Sequence, residues 1–413
     1  MTGACSRQRS WDIMSKAPDL LGSDSRPPFF PIGNAPELGL EAPQDRLGIP
    51  TRTWVKALAG MQKEAFVMNG ATERAWRLVS DEGPYLDGHD RAPCPLCNFI
   101  AGMVSSYMNE ITSLADARGL EIDDVELTLG NFYSMQGSAL KGTMLGGAMN
   151  PELSVQIAAD ADTADLRALV TEAVYSSPIV GLIRGVNNSL FTLAWNGEQI
   201  PVGEVAALEG DAHPDPGERF GDVAIADIPV ADDLMVKVKP ADQIEGVPGG
   251  AGSSLQESQS RTLHVQARCR LREDGLKVIH ENLFSPIGSE FQFLSDEAPE
   301  MGGTGRAPDA ISYLAAGIGF CFMTQFGRYA SITKKQLDDY RIVQDIHFAR
   351  PATGEPGRAD PVETHVYLIT PEGEDFARKT LDMGERTCFL HATCRTDLDV
   401  DITVAPVDEV IPG

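Results

Sequence analysis

Positive charge is scarce in this chain: 34 Lys and Arg stand against 60 Asp and Glu, for a formal net charge of −26. A phosphate backbone is bound by cations that displace its counterions, so the acidic balance argues against a nucleic-acid partner and against attraction to an anionic membrane. The acidic surplus reads instead as a solvated surface. Long apolar runs are also missing. Arg7, Arg9 and Lys16 are followed by no continuous apolar stretch, so no secretory signal is visible. The most apolar segment, Leu314–Met323, is shorter than the ~18–20 residues that span a bilayer. A cytoplasmic protein without a membrane partner is the expectation.

Cofactor and metal motifs are lacking too. Cys94-Pro95-Leu96-Cys97 has neither a second CxxC nor a His pair at ligand spacing, so no zinc site is expected. The stretch Gly137-Ser138-Ala139-Leu140-Lys141-Gly142-Thr143 places its lysine before the glycine in a hairpin tip and does not read as a phosphate loop. Seven cysteines cannot pair completely, and in a cytoplasmic chain they read as reduced thiols.

What is present is a globular composition, 42% hydrophobic and 23% charged, over 413 residues, a length at which a single core usually divides. An internal repeat agrees. Val79-Ser80-Asp81-Glu82-Gly83-Pro84 returns as Leu294-Ser295-Asp296-Glu297-Ala298-Pro299, and Arg91-Ala92-Pro93 as Arg306-Ala307-Pro308, both at a spacing of 215 residues (79 to 294, 93 to 308). The same spacing sets Ala101-Gly102 against Ala316-Gly317 and Ser106 against Cys321. Later it becomes 211 (154 to 365, 177 to 388), a shortening expected in a hairpin tip, and Ser177 then meets Cys388.

Each copy opens with alternating strands, in Arg52–Leu78 and Arg261–His280. Each then passes through the Ser-Asp-Glu loop to a proline that starts a long helix, Pro95–Arg118 or Ala310–Ser331. Small residues on these helices (Ala101, Gly102, Ala316, Gly317, Gly319) allow close approach of a partner helix. Further strands are expected at Val125–Phe132, Tyr340–His347, Ser154–Ala158 and His365–Ile369, with closing strands around Phe191–Leu193 and Ile402–Val404. The division is an extended arm over 1–50, a first unit over 51–202, a linker over 203–259 ending in Gly249-Gly250-Ala251-Gly252-Ser253-Ser254, and a second unit over 260–413.

A cysteine on an apolar helix is usually structural. Cys321 and Cys388, however, both stand where the first copy has serine, and this paired difference points to two thiols acting together. Cys94 and Cys97, at a helix N-terminus, and His391, one turn beyond Cys388, are accessory candidates.

A helix entered through Gly-Gly and Pro, a cysteine at its centre and a second cysteine some seventy residues later resemble the OsmC/Ohr proteins, the osmotically induced and organic hydroperoxide resistance group. The resemblance covers most of Arg52–Trp195 and Arg261–Val404. It implies an α+β fold of tandem OsmC-like repeats, folded as an intramolecular pseudo-dimer with antiparallel sheets around central long helices. The chain would then act as a monomer or as a further homodimer.

The resemblance also implies a thiol peroxidase. Cys321 attacks an organic hydroperoxide, Cys388 resolves the sulfenic acid as a disulfide, and a dithiol reductant reopens it. The thiolate needs a nearby cation; the family's arginine lies near the first strand turn, which points to Arg272, with Arg268 and Arg270 close by. The glutamate that usually holds this arginine, about ten residues before the cysteine, is missing, and Asp309 and Glu297 are the nearest substitutes. Phe389 follows Cys388 where the family often has proline. Phe320, Phe322 and Met323 suit a hydrophobic substrate. Two other readings keep the fold: Cys321 as nucleophile on a non-peroxide electrophile, with Cys94 and Cys97 participating, and a non-catalytic ligand-binding protein.

Overall fold

A computed structural model describes residues 17–241, 259–349 and 355–407. The Gly/Ser stretch 249–254, and with it the linker's end, lies outside the described residues.

After a short helix α1 (Leu20–Ser23), the first half runs β1 (Phe30–Pro31), β2 (Ile49–Ala57), β3 (Lys63–Asn69), β4 (Arg74–Ser80), α2 (Pro95–Ala117), β5 (Ile122–Gly137), β6 (Leu145–Ala148), β7 (Glu152–Ala159), α3 (Thr163–Ser176), α4 (Val180–Ile183), β8 (Leu190–Trp195) and β9 (Glu198–Ile200). The second half runs β10 (Met235–Lys239), β11 (Gln259–Leu271), β12 (Lys277–Ser285), β13 (Glu290–Ser295), α5 (Ala310–Thr333), β14 (Asp339–Ala349), β15 (Arg358–Ala359), β16 (Glu363–Ile369), α6 (Glu374–Thr387), α7 (Phe389–Arg395) and β17 (Asp401–Ala405). The expected helices and strands are present, with ends that differ by a few residues.

Two sheets form, and each draws strands from both halves. One has the order β1-β4-β3-β2-β14-β16-β8-β9, and the other β10-β13-β12-β11-β5-β7-β17. The joins correspond: β2 pairs with β14, and β11 with β5. The sheets are not purely antiparallel, because β8 lies parallel to β16 and β17 parallel to β7. In both cases the closing strand follows a pair of helices that carries the chain from one sheet to the other: β7 lies in the second sheet and β8 in the first, β16 in the first and β17 in the second.

Between the sheets lie α2 and α5. Helix α5 packs on β2, β3 and β14, α2 packs on β11, β12 and β5, and the two helices pack on each other. Their approach depends on glycine. A Cβ on Gly102 would lie 2.6 Å from the Ala310 carbonyl oxygen, and one on Gly317 would lie 2.6 Å from the Phe99 nitrogen. The contacts Gly102–Leu314 and Gly317–Phe99 define an antiparallel register that brings Pro95 level with Cys321. Helix α5 has the length and composition of a membrane span, but 94% of its most apolar window is buried in the protein.

The prolines Pro93 and Pro308 precede the helix caps rather than starting the helices. Their carbonyls accept hydrogen bonds from the hydroxyls of Ser80 and Ser295 (2.8 and 3.1 Å), which close the Ser-Asp-Glu loops. Pro95 occupies the first turn of α2, and Asp309 caps α5.

The segments read as arm and linker are structured where described. Phe29 packs on Phe293 and Tyr313, and Arg77 binds the carboxylates of Glu64 and Asp24 (2.6 and 2.8 Å), tying the arm down. Within 203–259, β10 extends the second sheet, and Ala226 donates its N–H to the Pro31 carbonyl.

Gly317→Ala is expected to lower stability by about 1–3 kcal/mol, because the added methyl meets backbone that cannot yield. The midpoint of urea unfolding measures this; an unchanged midpoint would contradict the packing described.

Candidate functional site: a thiol pair beside a charged pocket

Cys321 lies midway along α5, on a face turned to the second-half helices α6 and α7. Cys388 ends α6 and caps α7, with φ −71° and ψ 124°. That bend directs the first free N–H groups of α7 back toward Cys321. Burial alone would raise the Cys321 thiol. Hydrogen bonds from the Cys388 thiol and from the Leu390 and Phe389 N–H groups outweigh burial and hold its pKa below the ordinary cysteine value. Cys388 moves the other way, raised well above its ordinary value by burial and by donating to Cys321. The two sulfurs are thus shifted in opposite directions by the same contact. Both cysteines are free.

The corresponding position in the first half holds a hydroxyl pair, with Ser106 Oγ 2.9 Å from Ser177 Oγ. The paired replacement seen in the sequence is therefore a paired contact in space.

Cys321 opens onto a narrow cavity of about 30 Å³. Leu86, Leu96, Leu263, Leu283 and Phe389 form apolar walls; Glu82, Arg261 and Arg328 bring charge. Arg328 lies seven residues after Cys321, two helical turns on, and so on the same face. It interacts electrostatically with Cys321 and Glu82, and its Nη1 donates to Gln325 Oε1 (3.2 Å). Glu82, from the first half's Ser-Asp-Glu loop, accepts from Tyr85 Oη at 2.7 Å, and burial raises its pKa against the opposing pull of Lys63 and Arg328. Lys63, fully buried, is shifted down by burial, and it feels Glu82, Asp81 and the Cys321 sulfur.

The structure places the other predicted residues elsewhere. Arg272 sits in the exposed turn after β11, paired with Asp274 at 2.8 Å, and borders a separate surface hollow with Arg268 and Arg270. It is not in the Cys321 pocket. The halves exchange strands, so the strand turn that faces Cys321 belongs to the first half and carries Lys63.

Glu297 accepts from the N–H of Ala310 (3.2 Å) and from Asn109 on α2, near Ser106. Asp309 caps α5 through the Ser312 N–H (2.9 Å), and burial, with Glu297 adding repulsion, pushes its carboxyl up to about 6. Both acids lie on the serine side, and the first-half Glu82 occupies the matching place on the cysteine side. His391 contributes its backbone N–H to Cys388, but its buried ring has no hydrogen-bond partner and packs tilted against Phe322, with centroids 4.5 Å apart. Phe320, Phe322 and Met323 are core, not pocket wall. Cys94, in contrast, lines the same cavity as Cys321.

Sequence reasoning missed Arg328, Lys63 and Glu82. A lone arginine seven residues beyond the cysteine on an apolar helix was the available signal for the first.

Residues 303–403 match the model of the OsmC-like protein family. That region holds both Cys321 and Cys388, with all of α5, α6 and α7. No curated protein matches the chain. Among solved structures, an OsmC-like hydroperoxide resistance protein from Jannaschia sp. CCS1 is 18% identical, with 30% of this chain and 79% of that chain covered and a TM-score of 0.19.

Within the OsmC-like region the thiolate is lost as pH falls through the Cys321 pKa. Iodoacetamide labelling of Cys321, followed by peptide mass spectrometry, is therefore expected to show a midpoint below that of the thiol in an unfolded peptide of the same sequence. Cys388→Ala removes a donor and is expected to move that midpoint upward; a downward move would contradict the hydrogen-bond assignment.

Proposed function

We propose that the protein is a thiol-dependent peroxidase that reduces organic hydroperoxides, built from two tandem OsmC-like units folded as an intramolecular pseudo-dimer with one working thiol pair. The observation that carries this reading is the bend at Cys388, where the Cys388 thiol and the α7 N–H groups donate to Cys321, lowering its pKa while burial and that donation raise the pKa of Cys388. The match of the region containing both cysteines to the OsmC-like family supports it.

The Cys321 thiolate attacks the distal oxygen of the hydroperoxide. The S–O bond forms, the O–O bond breaks, and the alkoxide leaves as an alcohol after taking a proton. The resulting sulfenic acid is attacked by Cys388, which forms the disulfide and releases water. A dithiol reductant then returns two electrons and two protons. Arg328, on the pocket wall, offsets charge growing on the departing oxygen. A cavity of about 30 Å³ admits the peroxide group, while the apolar walls favour an alkyl or aryl remainder over a charged one. Residues of both units build the pocket, so one chain supplies a complete site.

Cumene hydroperoxide with dithiothreitol as reductant tests the reading. Cys321→Ser is expected to abolish turnover, and Arg328→Met to lower kcat/KM roughly 10²-fold, the scale lost with one charge-stabilising donor. Arg272→Met is expected to leave it unchanged. Oxidation without a Cys321–Cys388 disulfide, or full activity in Cys321→Ser, would overturn the proposal. Alkylation of Cys321 by a carbon electrophile without disulfide formation would point to the other nucleophilic chemistry.

A further inference from the structure

The pocket contains a third sulfur that the peroxidase cycle does not use. Cys94 caps α2 and Cys97 stands one turn inside it, with the two Sγ atoms 3.0 Å apart. Their counterparts in the second half, at the 215 spacing, are Asp309 and Ser312, which form an ordinary cap with hydrogen bonds of 2.9 and 2.8 Å. Cys94 makes no side-chain cap bond. The first helix therefore forgoes a stabilising cap, typically ~0.5–2 kcal/mol, and holds two thiols in contact instead. A disulfide requires the sulfurs to close to about 2.05 Å, so a shift of about 1 Å suffices.

Two further observations point to redox use. The antiparallel helix register brings the start of α2 level with Cys321, and Cys94 and Cys321 line one cavity. Behind the pair, Glu281 is 1% exposed, its carboxyl oxygens have no oxygen or nitrogen donor, and it faces Cys97. Burial keeps that carboxyl protonated well above the usual range. Of the remaining described cysteines, Cys269 and Cys394 have thiols pushed up to about 12 by burial, and neither lines the pocket.

We propose that Cys94 and Cys97 are a second redox-active dithiol, which takes over the disulfide from Cys321 and Cys388 by thiol–disulfide exchange inside the pocket. The proposal rests on reading Cys321 and Cys388 as a redox couple. Cys94 attacks Cys321 Sγ, the Cys321–Cys388 bond breaks, and Cys388 leaves and takes the proton given up by Cys94. Cys97 then attacks Cys94 Sγ, and Cys321 leaves as the thiolate that the α7 N–H groups already stabilise. The proton of Cys97 is released to solvent. The dithiol reductant of the proposed cycle then acts on the Cys94–Cys97 disulfide, while Cys321 is free for a second hydroperoxide.

The test oxidises the reduced, full-length protein with one and then two molar equivalents of diamide, blocks remaining thiols with N-ethylmaleimide and maps the peptides. Diamide forms disulfides whether or not the protein reacts with hydroperoxides, so failure of the peroxidase reading shows only in the cumene hydroperoxide assay. The expected result is that two equivalents protect Cys94, Cys97, Cys321 and Cys388, as the two pairs. In Cys97→Ser a Cys94–Cys321 cross-link is expected to accumulate, and in Cys321→Ser the Cys94–Cys97 disulfide is expected to form at least tenfold more slowly. Labelling of both Cys94 and Cys97 after the second equivalent overturns the proposal. So does unchanged Cys94–Cys97 formation in Cys321→Ser, which would mean that the pair is oxidised independently.

Discussion

The close antiparallel contact of α2 and α5 is the constraint on which the remaining structure depends. Each helix is covered by a sheet on one side and by the other helix on the second, so the stretches 95–108 and 310–326 have no wet face. That is why Ala310–Thr333 is apolar enough to resemble a membrane span and yet belongs to a core. The glycines set how near the helix axes come, and the register they permit decides which ends of α2 meet which positions of α5. Cys321 consequently stands level with the start of α2 at Cys94 and Pro95, and Ser106 stands level with Asp309. Chemistry on either side follows from packing.

Burial then poses an electrostatic problem that the site answers locally. A thiolate out of water is unfavourable, and the same burial that lowers Lys63 raises Glu82. What holds Cys321 below its ordinary pKa is a short bend in the chain, where Cys388 ends one helix, caps the next and donates its own thiol. Arg328 and Lys63 supply positive charge from one helix and from the other half's strand turn, with Glu82 between them. The serine side has the same layout without sulfur: Lys277 binds Asn109, lies 3.9 Å from Glu297, and Asn109 in turn donates to Glu297.

Much of this was legible in the sequence. The repeat spacing located both central helices, nearly all the strands and the serine–cysteine correspondence, because repeated spacing reports repeated local structure. Strand exchange was not legible from spacing alone. Arg272 was sought in the second half because the cysteine is there, whereas the turn that reaches Cys321 comes from the first half. The same exchange moved Glu297 and Asp309 to the serine side. Arg328 was obscured for another reason: the family pattern directed attention to a strand turn, while helical periodicity placed the arginine two turns along the cysteine's own helix. Proline and glycine content suggests an extended arm over 1–50 and a linker over 203–259, a composition that fits short edge strands and straps equally well.

The exchange also bears on why the two sides differ. In a pair of identical chains every substitution appears twice, so both sites must change together. In one chain whose two halves share both sheets, a residue of the first half can be altered for the sake of a site in the second. Cys94 and Cys97 belong to the first half, yet Cys94 lines the cavity of the second half's cysteine; their equivalents, Asp309 and Ser312, cap α5, and Asp309 also accepts from Asn69. Lys63 and Glu82 likewise come from the half without the thiol pair. The first half thus takes part in the second half's site. Without its strand turn, its Ser-Asp-Glu loop and the start of its helix, the Cys321 pocket would lose Glu82, Leu86, Cys94 and Leu96 from its wall and Lys63 from its surroundings.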